Sequence, residues 1–281
     1  MTKTCEGLDT GLASGEALVD GVVRMAVGCG VGLACTWAAR GVQAPISTSA
    51  MRLTARRWEM EIRPERGGRI TSLRFEGEEI LDQGIGVDQP TAEGFVEGGA
   101  WGWDEMVPNV EPTDTLPDHG EAWRLPWEVL RSSQTSAVMR ASGRIVPWEL
   151  TRTIEIGEDV RISYVYRNAG TAPHPAYWCA HPLFKYEPGM EIGAPVPDDL
   201  AEGASTKVFL PWGAVDHVTL GWRSGKRLDM SWDVFLTPEV AIWMCNGDLG
   251  GYRQVAVEPA TASPMLDPGS SLEWWLQIAA L

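Results

Sequence analysis

From Met51 onward the chain alternates between apolar and polar residues at a period of two. Trp58, Met60 and Ile62 share one face of a segment whose other face carries Arg57, Glu59, Glu61 and Arg63, the pattern of a half-buried strand. Val160, Ile162, Tyr164 and Tyr166 repeat it, as do Leu272, Trp274, Leu276 and Ile278. Further strands are expected at Arg69–Phe75, Trp127–Arg131, Ala137–Val146, Glu149–Ile156, Lys207–Leu210, Val240–Cys245 and Arg253–Glu258, with Gly67-Gly68, Gly77 and Gly157-Glu158-Asp159 as turns. No sustained helical stripe interrupts them, and no internal repeat appears. Ten or more short strands with Gly and Pro turns predict an all-β protein, a large antiparallel sandwich or barrel, in one domain spanning 51–281.

Two stretches are not strand-like. Residues 83–121 and 188–206 are crowded with Gly, Pro and acids, and loops of such length in a compact domain are usually lids or binding surfaces. Trp101, Trp103 and His119 in the first stretch argue against simple disorder.

The first fifty residues differ. They are rich in Gly and Ala, and the apolar run from Val22 to Ala39 is broken by Arg24 and glycines, too short for a transmembrane helix. An acidic upstream segment and Pro45 after the cleavage point count against a signal peptide. Gly28-Cys29-Gly30-Val31-Gly32 has its third glycine one place early for a dinucleotide loop and lacks the acid about 20 residues on. The expectation for residues 1–50 is a poorly ordered or atypical extension, with Met51 as the working start.

Charge narrows the partners. Of 23 bases and 38 acids, three and four fall in the first fifty residues, leaving 20 and 34 after Met51, a net of −14. Such a body repels phosphate backbones, so nucleic acid is not expected, nor is a membrane. A neutral small molecule suits it better. Five scattered cysteines without a C-x-x-C pair read as reduced thiols of a cytoplasmic protein. Fourteen tryptophans are unusual for this length; Trp packs in cores but also stacks on the C–H faces of sugars.

Four histidines supply what acid–base chemistry there is: His119, His174, His181 and His217. No H-E-x-x-H occurs and no two histidines lie within five residues, so the short-spacing zinc signatures fail, and no metal ligand is assigned. A metal site assembled from distant histidines stays open as a third reading. No G-x-S-x-G is present. Proton transfer between imidazole and carboxylate remains.

Six segments then carry a resemblance. Gly67-Gly68-Arg69-Ile70-Thr71-Ser72-Leu73, Gly102-Trp103-Asp104-Glu105-Met106-Val107-Pro108 and Asp118-His119-Gly120 before Trp127 are followed in order by three more. These are Asn168-Ala169-Gly170 leading into His181-Pro182-Leu183-Phe184, Asp216-His217 before Ser224-Gly225-Lys226-Arg227-Leu228, and Val257-Glu258-Pro259. Together they resemble the aldose 1-epimerase (galactose mutarotase-like) superfamily over essentially all of Met51–Leu281. The resemblance implies a large antiparallel supersandwich that binds a sugar across one concave sheet and needs no cofactor. It implies Glu258 as the base for the anomeric hydroxyl, His181 as the acid for the ring oxygen, His119 as a hydrogen-bonding partner of the sugar, and Asp216 as an acceptor.

Plainer roles stand beside these. Glu258 could be a solvated rim charge and Asp216 a turn cap. Trp103 and Trp123 could stack on sugar or fill a core; Arg69 and Arg124 could hold a ligand oxygen or be surface charges. The sequence departs from the familiar pattern in lacking an Asn-Arg-Ile segment ahead of His119. Trp123 stands where sugar-phosphate epimerases of the superfamily have an Arg, which points to an unphosphorylated sugar. The two leading functions are anomer exchange and sugar binding without turnover, by a monomer or homodimer.

Overall fold

The computed structural model describes residues 50–281, all within one compact unit; the expectation for residues 1–50 falls outside the described residues but for Ala50. The alternation in the sequence is realised as two large antiparallel sheets. Edge to edge, the first runs Met51–Ala55, Trp58–Arg63, Arg69–Phe75, Trp103–Met106, Cys179–Lys185, Arg253–Ala260, Glu239–Asn246 and Ala204–Phe209, with Glu78–Glu79 beside Arg69–Phe75. The second runs Glu191–Ile192, His217–Gly221, Arg227–Trp232, Ser271–Ala280, Val160–Asn168, Trp148–Ile156, Ser136–Ser142 and Glu128–Ser132. His174–Pro175 and Met265–Leu266 form a separate two-stranded ribbon. Among the described residues, helix is confined to Phe95–Gly99 and a 3₁₀ turn at Ala122–Arg124, and no helix is long and apolar enough to cross a membrane.

The core lies between the sheets. Trp58, Met60 and Ile62 from the first sheet pack in one cluster with Leu150, Ile154 and Ile162 from the second, each removing on the order of 2 kcal/mol of apolar exposure. The ion pair of Glu105 and Arg152 is buried among them. Glu105 is fully buried; its carboxylate accepts from Arg152 Nη1 at 2.8 Å, Tyr164 Oη at 2.9 Å and Trp178 Nε1 at 2.8 Å, which joins the sheets through one saturated acid.

A second apolar cluster sits on the opposite face of the first sheet, where Met106, Cys179, Leu183, Ala256 and Ala260 meet the loop residues Phe95 and Trp123. The stretch 83–121, expected to contain no strand, contributes Trp103–Met106 to the sheet interior. Four residues flanked by Gly and Pro carry too weak a period to be seen in advance. Two arginines hold the rest of the stretch down. Arg66 donates to Gly98 O, Trp123 O and Asp88, and Arg69 donates to Gly99 O and Asp104.

Candidate active site

His181 is the third residue of the strand Cys179–Lys185, which continues through Pro182. Proline in a central strand removes a ladder donor, and here two prolines do so together. The ladder between Cys179–Lys185 and Arg253–Ala260 pairs Cys179 with Ala260 and resumes at Leu183 with Ala256, in unchanged register. Pro182 and Pro259 fall in the gap, and that register sets His181 opposite Glu258. Alternation fixes the face. Ala180, Phe184, Val255 and Val257 point into the inter-sheet core, while Cys179, Leu183, Ala256 and Ala260 belong to the outer cluster. His181 and Glu258 share the outer parity.

The two groups meet with His181 Nε2 3.5 Å from Glu258 Oε1. Both are buried, at 5% and 3% exposure, which rules out the solvated-rim role for Glu258. Glu258 Oε1 and His181 Nδ1 have no hydrogen-bond partner among the described residues, which leaves both atoms free to bond a ligand. The other carboxylate oxygen, Oε2, is held by Lys207 Nζ at 2.8 Å. Lys207 comes from the edge strand Ala204–Phe209 and lines, with Glu258, a cavity of about 570 Å³.

Burial shifts the two titrations in opposite directions. Desolvation pushes the Glu258 carboxyl above its ordinary 4.5, against the opposing charge of Lys207. Desolvation, reinforced by the positive charges of His119 and Lys207, drives the His181 imidazole well below 6.5. Burial would lower Lys207, but the charge of Glu258 and its hydrogen bond, with smaller contributions from other groups, together raise the ammonium.

His119 closes the other side. Its ring stands edge-on to His181 with centroids 5.4 Å apart and stacks on Phe95 at 4.6 Å. Asp118 Oδ1 meets His119 Nδ1 at 2.7 Å, and Asp118 Oδ2 accepts from the Phe95 amide at 2.8 Å. The Asp118 carboxyl is pulled below its ordinary value; burial opposes this, and the hydrogen bonds from His119 and Phe95 prevail. His119 holds φ 56°, and Gly120 follows at φ 67°, so the turn aims the imidazole through a backbone conformation that non-glycine residues seldom adopt.

Five residues expected at the site are not in it as expected. Trp103 is fully buried on the inter-sheet face, the consequence of alternation in a strand whose next residue, Asp104, faces outward. Trp123 is likewise fully buried, edge-on behind Phe95 at 5.3 Å. Arg69 is buried and bidentate to Asp104 through Nε and Nη2, with Nη2 2.6 Å from Oδ2, so that edge of its guanidinium is occupied by protein. Arg124 stacks on Trp123 and donates to Ala92 O and Glu93 O, fastening the loop. Asp216 is exposed beside His217, ahead of a strand of the second sheet. Conversely, Lys207, Asp118 and Phe95 reach the site without having been singled out; no local pattern pairs Lys207 with an acid fifty-one residues later. Among the described residues, no group of three or more His, Cys, Asp or Glu side chains is arranged to hold a metal ion.

No family model matches the sequence, and no curated protein matches it. Solved structures do. The fold is similar to that of the Slr1438 protein from Synechocystis sp. PCC 6803, at TM-score 0.69 and 16% identity over 84% of this chain and 96% of that one. A galactose mutarotase-like protein from Lactobacillus casei gives TM-score 0.66 and 14% identity over 83% and 100%. A galactose mutarotase related enzyme from Lactobacillus acidophilus gives 0.63 and 13% over 83% and 97%. At these identities the likeness establishes the fold, a galactose mutarotase-like β-sandwich.

Proposed function

We propose that this sandwich interconverts the α and β anomers of an unphosphorylated sugar, with Glu258 and His181 as its acid–base pair. The observation that carries the reading is the buried juxtaposition of Glu258 Oε1 and His181 Nε2 at 3.5 Å, with Oε1 and His181 Nδ1 both lacking protein partners.

The reaction needs one group to take a proton and another to give one. The Glu258 carboxylate takes the anomeric hydroxyl proton as the C1–O5 bond breaks and C1 becomes an aldehyde. The His181 imidazolium gives its proton to O5. After rotation about C1–C2, O5 returns its proton to His181 while attacking the other face of C1, and Glu258 reprotonates O1. One proton is shared by the pair throughout, and no atom is gained or lost. Burial raises Glu258 and lowers His181, so each holds its charged form less firmly than in water, which suits a reaction in which each must act as acid and base in turn. His119, oriented by Asp118, supports the site as a hydrogen-bonding neighbour of the ring. The cavity walls include Glu111 and Glu239, while its one lysine is engaged by Glu258; this favours a neutral sugar over a phosphorylated one.

Saturation-transfer NMR between aldose anomers tests the reading. Glu258→Gln and His181→Asn are each expected to lower the exchange rate by about 10²–10⁴-fold; an undiminished rate in Glu258→Gln ends the assignment. A second reading, sugar binding without turnover, draws on Lys207, whose ion pair with Glu258 lowers the basicity of the proposed base. Calorimetric sugar binding that survives His181→Asn, with no catalysed exchange in the parent chain, would favour it.

A further inference from the structure

The cavity that reaches Glu258 does not end there. Phe209 pairs across the sheet with Ala241, and Ala241 pairs with Glu258. The three therefore lie in one row on the outer face, with Phe209 two strand spacings, roughly 10 Å, from Glu258. The middle residue is an alanine, which leaves a trough between the acid and the aromatic ring. Beyond Phe209 the cavity wall continues to Trp212.

Phe209 is 76% exposed and Trp212 63% exposed. Leaving two such side chains in water forgoes burial worth about 1.5–3 kcal/mol each. Exposed apolar groups gathered at one place, rather than scattered, mark a surface that is covered when a ligand is bound. Here they stand at the mouth of a cavity, with polar groups at fixed points along it. Asn109 is one of these: its amide nitrogen donates to Glu111 O and Pro117 O, while its buried Oδ1 has no partner among the described residues. A volume of about 570 Å³ lies within the roughly 300–1,000 Å³ of pockets that enclose drug-sized ligands, and it exceeds what one pyranose ring requires.

We infer that the site takes the reducing end of a saccharide of two or more rings, with the neighbouring ring stacked on Phe209 and Trp212. The inference rests on the reading of Glu258 and His181 as the anomer-exchanging pair. A pyranose presents C–H bonds on its faces and hydroxyls at its edge. The aromatic side chains complement the C–H faces, and the polar residues of the same cavity wall, Asn109, Glu111 and Glu239, complement the hydroxyls. The reducing-end ring lies toward Glu258 because only that ring has a free anomeric hydroxyl.

The experiment compares exchange rates for glucose and galactose with those for maltose, cellobiose and lactose, in the parent chain and in Trp212→Ala and Phe209→Ala. Both substitutions are at exposed positions, and thermal unfolding verifies that the fold is intact. The expected result is a kcat/KM at least about tenfold higher for one of the disaccharides than for its own reducing-end monosaccharide, with that ratio falling to near one in Trp212→Ala. A parent ratio near one, or a ratio that both variants leave unchanged, overturns the inference while leaving the exchange activity standing. If no sugar is exchanged, the activity reading fails instead, and calorimetric titration with the same sugars decides the platform. Tighter disaccharide binding that Trp212→Ala removes supports it; equal binding overturns it. Concentration-dependent sedimentation that Trp212→Ala abolishes, with sugar ratios unmoved, would assign the rim to self-association and also overturn it.

Discussion

Replacing Lys207 by Met strips the proposed base of its counter-charge. Lys207 Nζ lies 2.8 Å from Glu258 Oε2; at an effective dielectric of about 20, two unit charges at that distance attract by about 6 kcal/mol before solvent screening. The Lys207 side chain keeps 25% of its exposure, and breaking a buried pair typically costs about 3–5 kcal/mol, so about 3 kcal/mol is the working figure. At 1.36 kcal/mol per pH unit, this moves the Glu258 titration up by about two units from a value that burial has already raised. Two consequences follow from the sign. A carboxyl whose pKa is higher folded than unfolded holds its proton in the fold after the unfolded chain has lost it. Stability therefore falls as pH rises above about 4.5 and levels off once the folded group ionises. The parent chain levels off first and Lys207→Met about two pH units later, so the deficit of the variant opens over that window and persists at high pH. In catalysis, the acid limb of the kcat/KM profile for anomer exchange shifts to higher pH by the same two units. Urea denaturation at pH 5 and pH 8, together with the exchange profile by NMR, reads both. An unmoved acid limb with a pH-independent stability loss would refute the reasoning.

Glu105→Gln leaves Arg152 buried without its counter-charge and should cost about 3–5 kcal/mol in urea denaturation; a loss under 1 kcal/mol would contradict the role given to this acid. Gly67 sits at φ 67°, where a Cβ would come within 2.1 Å of Trp123 O. Gly67→Ala should therefore destabilise by about 3 kcal/mol or more, seen as a lowered urea midpoint. Asp216→Asn, at an exposed bend ahead of the strand His217–Gly221, should leave anomer exchange within about twofold of the parent; a large loss would return Asp216 to the site.

Strand period was legible wherever a strand had one dry face and one wet face. Val160–Asn168 and Ser271–Ala280 alternate because one side of the second sheet packs on the core and the other meets solvent. The pattern failed at Trp103–Met106 and Cys179–Lys185, which are buried on both faces and so carry no contrast to read. Those same strands carry His181 and its neighbours.

The resemblance to the aldose 1-epimerase superfamily, carried by short motifs in order along the chain, already pointed to His119, His181 and Glu258. Which of the nearby residues join them depended on side-chain direction and cross-strand register. Register brought Lys207 to Glu258 from an edge strand. Pleat sent Trp103 to the opposite face, ion pairing engaged Arg69, and a place beside the other sheet removed Asp216. Local sequence encodes the period of a strand; which strand lies beside which, and hence which charges meet, is set only when the two sheets close on their common core.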